Sequence, residues 1–180
     1  AAAAGASSSA PLSVIDKRRK HNVHPARHSV VTRPPLDPIV LCDIERLLAS
    51  FEASNLRSLA SFKALSGQFR IRDLFLTFRS GERVPPSGET VAEYSGLLFE
   101  ALVRRAVDLT RSFEQRLGSM YLLLLLHELQ PCRPRAEIPV LESQWRGFEQ
   151  LAQELRMPRH EEGFACLHAL WTGHRLSHRA

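Results

Sequence analysis

The segment from Phe113 to Leu126 constrains the fold of this 180-residue chain more than any other part of the sequence. One stripe at helical spacing contains Phe113, Leu117, Met120, Tyr121 and Leu124, and the other sides contain Leu122, Leu123, Leu125 and Leu126. A helix that is apolar nearly all round must be covered by neighbours on most sides. We therefore expect this helix at the centre of a helical bundle. Its longest uninterrupted apolar run, Met120 to Leu126, is far shorter than the roughly 20 residues that a membrane span needs.

Helical periodicity recurs along most of the remaining chain, and strand alternation with turn chemistry is missing. Asp37 followed by Pro38 is a typical helix start, because an N-cap acceptor precedes a residue that has no N–H to satisfy. The first four predicted helices are residues 37–51, 59–65, 69–78 and about 89–107, with a proline- and glycine-rich loop at 80–88. The fifth begins at Ser112 and carries the apolar residues through Leu126, and the sixth covers about residues 141–156. The seventh starts at Glu161 and Glu162 and carries Phe164 to Trp171. The sequence thus predicts an all-α fold of about seven helices, packed as one bundle or a short right-handed superhelix.

The positive charge of the chain is concentrated at its N-terminus. Residues 1–35 contain six Lys or Arg and one acid, which leaves 18 bases and 18 acids for residues 36–180. The N-terminal stretch also lacks a sustained apolar period, so we predict a disordered basic tail over residues 1–36 and one helical domain over residues 37–180. Because the folded part is neutral, its composition does not indicate a nucleic-acid reader.

Catalytic and metal-binding signatures are missing from the sequence. It contains no phosphate-binding glycine loop, no H-E-x-x-H and no G-x-S-x-G. Cys42, Cys132 and Cys166 are odd in number and form no C-x-x-C, which favours free thiols in a reducing compartment. His127 and Glu128 are expected to form a helix surface pair near a C-terminus. His174 and His178 would share a helix face but lack a clear third ligand, and we expect His168 to be a core residue. We therefore predict no enzyme activity, no metal site and no cofactor.

Three large aromatic residues, Tyr121, Trp145 and Trp171, lie within apolar stripes. Core packing is the favoured interpretation, since such side chains are mostly buried. Interface anchoring is the alternative, because aromatic residues dominate binding hot spots.

A group of basic residues also leaves two interpretations open, phosphate contacts or surface solvation. This group is Arg104, Arg105, Arg111 and Arg116, around the connection between the fourth and fifth predicted helices.

One run of residues resembles a known family. It begins Arg116-Leu117-Gly118-Ser119-Met120-Tyr121-Leu122-Leu123 and continues through His127-Glu128-Leu129-Gln130-Pro131, followed by Pro134, Ile138, Val140 and Trp145. This pattern resembles the N-terminal domain of subunit 1 of the small nuclear RNA-activating protein complex. Upstream, residues 43–51 and then Leu59, Phe62 and Phe69 resemble the opening helices of that domain. The resemblance covers about residues 37–176, and its family-motif core is Gly118, Tyr121, Leu122 and Trp145.

The resemblance implies a non-catalytic scaffold in the nucleus. Complexes of this family bind the proximal sequence element of small nuclear RNA promoters, recruit TATA-binding protein and support transcription by RNA polymerases II and III. Subunit 1 is implied to assemble with the Myb-repeat subunit 4 and with subunit 3, which carry most of the base recognition. Promoter DNA would then be bound by the complex as a whole.

The tail leaves the destination of the protein open. Lys17, Arg18, Arg19 and Lys20 fit a short nuclear-localisation cluster. The Ala-, Ser- and Arg-rich, acid-poor composition of the tail also fits an organellar transit peptide. The corresponding alternative function is a helical protein-interaction adaptor unrelated to transcription, whereas the resemblance favours the nucleus.

Overall fold

The computed structural model describes residues 36–75, 90–131, 133–157, 160–173 and 176–179. Within these ranges the protein is mostly helical, which confirms the predicted fold class. Six α-helices are joined by one 3₁₀ helix and a sheet of two short strands. In chain order these elements are α1 (Pro38–Ser54), α2 (Leu59–Gln68), the 3₁₀ helix (Ile71–Phe75), α3 (Val91–Val107), α4 (Phe113–Leu129), β1 (Ile138–Leu141), α5 (Glu142–Arg156), α6 (Glu161–Thr172) and β2 (Leu176–Arg179).

Helix starts follow the cap residues in the sequence. The Asp37 side chain accepts a hydrogen bond from the Ile39 N–H at 2.8 Å, directly before α1. The Ser112 hydroxyl accepts from the Gln115 N–H at 3.2 Å at the start of α4. A fully reciprocal capping box is found at α3, where Thr90 and Glu93 cap each other's backbone N–H groups. These caps satisfy amide groups that have no partner within the helix.

Helix α4 lies at the centre of the bundle, as its sequence predicted. Every residue from Arg116 to His127 is buried, although the helix has polar residues at both ends. It packs against each of the other five α-helices and against the 3₁₀ helix. The leucines of α4, which would be costly to expose to water, are therefore covered by the surrounding elements and form the centre of the core.

The two-stranded sheet was not predicted, because no segment of the sequence shows strand alternation with turn chemistry. β1 and β2 pair in parallel, with Ile138 opposite Leu176 and Leu141 opposite Arg179. Ile138, Pro139 and Val140 are all buried, so the segment shows none of the apolar–polar alternation that marks a half-buried strand. Its partner lies beyond two intervening helices, and that pairing cannot be inferred from local sequence.

The segment after α2 also differs from the prediction. Instead of an α-helix over residues 69–78, the described part contains the 3₁₀ helix Ile71–Phe75. Arg70 adopts a left-handed backbone conformation with φ of 53°, which ends the preceding helical path. Residues 76–89, with the predicted loop at 80–88, lie outside the described residues. The same is true of residues 1–35, so the basic tail and its boundary with the domain stay predictions.

Close contact between α5 and α3 depends on a glycine. A Cβ added at Gly147 would overlap the Cβ of Val107 and lie 3.0 Å from its Cα. Gly96, within α3, provides a matched control because no described atom lies within 4 Å of an added Cβ.

We expect these two Gly→Ala substitutions to change stability in opposite directions. Gly147→Ala forces α5 away from α3 and should lower the free energy of unfolding by about 1–3 kcal/mol. Gly96→Ala gains helix propensity and should raise it by about 0.5–1 kcal/mol. Urea denaturation of both variants measures the two changes. Shifts of the same sign would show that the α3–α5 contact is misplaced.

Candidate interaction surface

Two of the predicted phosphate-contacting arginines converge on one carboxylate of α1. Arg105, in the last turn of α3, donates from Nε to Glu45 Oε1 at 2.8 Å. Arg111, in the α3–α4 connection, donates from Nη1 to Oε2 at 2.8 Å and from Nη2 to Oε1 at 3.0 Å. This bidentate geometry is the strong form of an arginine–carboxylate pair. Glu45 therefore ties α1 to the end of α3 and to the connection that follows it.

The electrostatics of this cluster stabilise the charged form of each group. Hydrogen bonding from Arg111, supplemented by Arg105, holds the pKa of Glu45 below its ordinary value despite the opposing effect of partial burial. The same bond to Glu45 raises the pKa of Arg111. Asp108 Oδ2 lies 3.6 Å from Arg111 Nε and adds a second negative charge to the group. Two cations thus face two carboxylates, and the cluster has no large excess of positive charge.

Arg116 has a different environment, because it lies inside the domain. Its side chain is 4% exposed, and Nη1 donates to both carboxylate oxygens of Glu154 at 2.7 and 3.0 Å. Nε donates to the Ala106 carbonyl at 3.2 Å. One guanidinium on α4 therefore joins α5 to the end of α3, and a phosphate could reach it only by displacing these partners.

Arg104 is the exposed member of the group of four. The structure thus separates the predicted phosphate-contacting residues by environment. Arg105 and Arg111 bind Glu45, Arg116 is buried, and Arg104 alone of these four presents its side chain mainly to solvent. Phosphate contact at this connection stays a prediction, and Arg104 is the residue best placed to make it.

The Arg116–Glu154 pair yields an asymmetric stability prediction. Glu154→Ala leaves a buried guanidinium without its carboxylate and should lower the free energy of unfolding by about 3–5 kcal/mol. Arg116→Met should cost less, since methionine retains apolar packing and the Glu154 side chain, 32% exposed, can be hydrated instead. Chemical denaturation of both variants measures the difference. Equal costs, or a cost below about 0.5 kcal/mol for Glu154→Ala, would show that this pair is solvated.

Three residues of the family-motif core, Gly118, Tyr121 and Leu122, lie on buried parts of α4. A Cβ at Gly118 would lie 3.0 Å from side-chain carbons of Leu48 and Phe51, so glycine permits the close approach of α1. The ring of Tyr121 packs against the ring of Phe51, with the ring centroids 6.2 Å apart. The Tyr121 hydroxyl donates a hydrogen bond to the Arg57 carbonyl at 2.9 Å. Burial raises the pKa of this phenol. These contacts are structural, and they fix α1 and the α1–α2 loop against the central helix.

Trp145, the fourth residue of that core, stacks on Trp171. The two rings are 6.0 Å apart and nearly parallel, with an interplanar angle of 5°. Both side chains are partly exposed and both also contact the core. Tyr121, in contrast, is fully buried. The core interpretation thus holds for Tyr121, whereas the tryptophan pair of α5 and α6 presents aromatic surface that a partner could cover.

Sequence reasoning missed one polar residue with an organising role. Gln130, at the end of α4, is 1% exposed and its amide makes three hydrogen bonds. It donates to the carbonyls of His127 and Ala136 and accepts from the Ala136 N–H at 2.8 Å. These bonds hold the connector that leads into β1. A glutamine directly after an apolar helix was visible in the sequence, but its partner six residues away was not.

Two histidines lie in environments opposite to those predicted. His168, expected in the core, is exposed, because α6 turns Gly163, Cys166, Leu167 and Leu170 inward. His127, expected on the surface beside Glu128, is 5% exposed, and its ring packs at a tilt against Phe99 with the ring centroids 6.1 Å apart. Residue 174 lies outside the described residues. Within the described ranges, no group of three or more His, Cys, Asp or Glu side chains is arranged to hold a metal ion.

None of the described helices is both long and apolar enough to cross a bilayer. The family model for the small nuclear RNA activating complex (SNAPc), subunit 1, matches residues 40–180, which include every described helix apart from the first two residues of α1. No individually curated protein matches the chain significantly.

Proposed function

The chain belongs to the family of subunit 1 of the small nuclear RNA activating complex, and on this premise we propose that it is a non-catalytic scaffold subunit of such a complex. In this role it binds other subunits and thereby supports recognition of the proximal sequence element. The complex in turn supports transcription of small nuclear RNA genes by RNA polymerases II and III. The protein acts in the nucleus.

The observation that carries the scaffold role is the internal use of positive charge. Residues 36–180 contain equal numbers of bases and acids. Three of the four arginines at the α3–α4 connection are bound to Glu45 or Glu154. A primary DNA reader needs a set of cations free to replace the counterions of the phosphate backbone. This distribution of charge supports assembly through protein contacts, with promoter DNA bound mainly by partner subunits.

The proposed partners are the Myb-repeat subunit 4, subunit 3 and TATA-binding protein. The stacked pair Trp145 and Trp171 supplies a candidate anchor for one of them, because both rings are partly exposed and aromatic residues are enriched in binding hot spots. Arg104 supplies a candidate phosphate contact in the assembled complex. In the tail, Lys17, Arg18, Arg19 and Lys20 supply the candidate nuclear-localisation signal. Family membership argues against the alternative of an adaptor unrelated to transcription.

Co-expression with subunits 3 and 4 of the same organism tests the scaffold role. We expect the tagged full chain to retain both subunits through affinity purification and size exclusion, and we expect omission of this chain to reduce the recovery of a complex that binds a proximal-sequence-element duplex. Absence of both subunits from the purified material, or full DNA binding without this chain, would contradict the proposal.

A pair of leucine substitutions controls for the fold in that experiment. Leu124→Asp places an unpaired carboxylate in the core, where Leu124 is 7% exposed, and should abolish both helicity and assembly. Leu109→Asp makes the same change at a leucine that is 56% exposed and should retain the helicity measured by circular dichroism. If the unfolded Leu124→Asp chain still recruited both subunits, assembly would not depend on the helical domain.

A further inference from the structure

Glu45 is the shared acceptor of two arginines at the surface of the domain. The side chains of Arg105 and Arg111 are 16% and 24% exposed, and that of Glu45 is 40% exposed. Solvent therefore reaches this group of ion pairs, in contrast to the buried guanidinium of Arg116. A negatively charged ligand from solution can compete with Glu45 for both surface arginines.

A phosphate group is the ligand whose geometry matches that of the carboxylate. Arg111 donates from Nη1 and Nη2 to the two carboxylate oxygens of Glu45. Guanidinium groups bind carboxylates and phosphates through this same pair of parallel hydrogen bonds. Arg105 adds a third hydrogen bond, from its Nε to Glu45 Oε1. Glu45 thus occupies the position in which a phosphate would bind, and its negative charge repels one.

The carboxylate has an advantage over an external competitor because the fold holds it in place. Glu45 follows Ile44 on α1, and the Ile44 side chain is fully buried in the core. An anion that is fixed next to its cations binds at a high effective concentration, whereas a phosphate from solution loses translational freedom when it binds. Hydrogen bonding from Arg111 also lowers the pKa of Glu45, so the carboxylate stays charged at neutral pH.

We propose that Glu45 is an autoinhibitory contact, which keeps Arg105 and Arg111 from binding the phosphate backbone of duplex DNA. Contacts to the backbone carry no sequence information, and they supply most of the non-specific affinity of a protein for DNA. With Glu45 in place, the isolated chain binds non-specific DNA less strongly than its arginines would allow. This inference goes beyond the scaffold function, because it assigns to one carboxylate the control of the domain's affinity for DNA.

Two neutral isosteres on α1 test the proposal in the 180-residue chain. Glu45→Gln removes the charge that holds the two arginines. Asp43→Asn makes the same change of net charge beside Arg46, which is already 70% exposed. Fluorescence anisotropy measures binding to a short DNA duplex of random sequence at increasing salt. Because two phosphate contacts become available, Glu45→Gln should steepen the slope of log affinity against log salt by about 1.8.

The Asp43→Asn chain should keep the salt dependence of the unmodified chain, since it releases no arginine. An equal change of slope in both variants, or no change in a Glu45→Gln chain that retains its helicity by circular dichroism, would overturn the proposal.

Two neighbouring arginines provide a second test that leaves Glu45 in place. Arg104→Gln and Arg105→Gln remove the same charge from the last turn of α3, and Arg111 still holds Glu45 in both chains. Since Arg105 is bound to Glu45 and Arg104 is exposed, Arg105→Gln should leave the salt slope unchanged. A slope reduced by about 0.9 in the Arg105→Gln chain would show that Arg105 already contacts phosphate, and would overturn the proposal. Neither test requires another subunit, so failure here would leave the co-expression result intact.

Discussion

The burial of α4 on all sides is the constraint on which the rest of this structure depends. A helix with leucines around its whole circumference cannot lie on a surface, so every neighbouring element supplies one apolar face to cover it. α1 contributes Ile44, Leu47, Leu48 and Phe51 at helical spacing, and α5 and α6 contribute Phe148, Leu151, Leu155, Leu167 and Leu170. Where the approach to α4 is close, small residues permit it: Gly118 of α4 faces α1, and a Cβ added at Gly163 of α6 would lie 3.2 Å from Leu117 of α4.

Ion pairs then fix how these helices are arranged around the centre. Glu45 joins α1 to Arg105 and Arg111. Glu52, about two turns further along α1, accepts a hydrogen bond from Gln115 at 2.7 Å in the first turn of α4. Hydrogen bonding by Ser112 and then Gln115 lowers the pKa of Glu52. Arg116 joins α4 to α5 through Glu154. Since these charges are matched within the domain, the net positive charge of the chain is left to residues 1–35. This separation between a neutral helical domain and a basic N-terminal stretch is consistent with a subunit that assembles through protein surfaces.

Local sequence predicted the parts of the fold that depend on local patterns. Asp37-Pro38 marked the start of α1, and the leucines of α4 indicated its central position. Features that depend on distant partners could not be predicted in this way. Four residues around Pro139 do not identify a strand until Leu176 is known to lie beside them. Arg116 had the same local appearance as Arg104, and only the position of Glu154 on α5 accounts for its burial. The tryptophans were ambiguous for a related reason. Trp145 lies in the first turn of α5 and Trp171 in the last turn of α6, and a helical stripe does not indicate whether its end turns are covered.

Native-state hydrogen exchange of the isolated 180-residue chain tests the central claim most directly. If α4 is covered on every side by this chain's own helices, its amides from Leu117 to Leu126 should exchange only through global unfolding. Their exchange free energies should then equal one another and equal the unfolding free energy from denaturant titration. Amides of α4 that exchange well below that value, while those of α3 or α5 remain protected, would contradict the account. The central helix would in that case require a partner subunit to complete its cover.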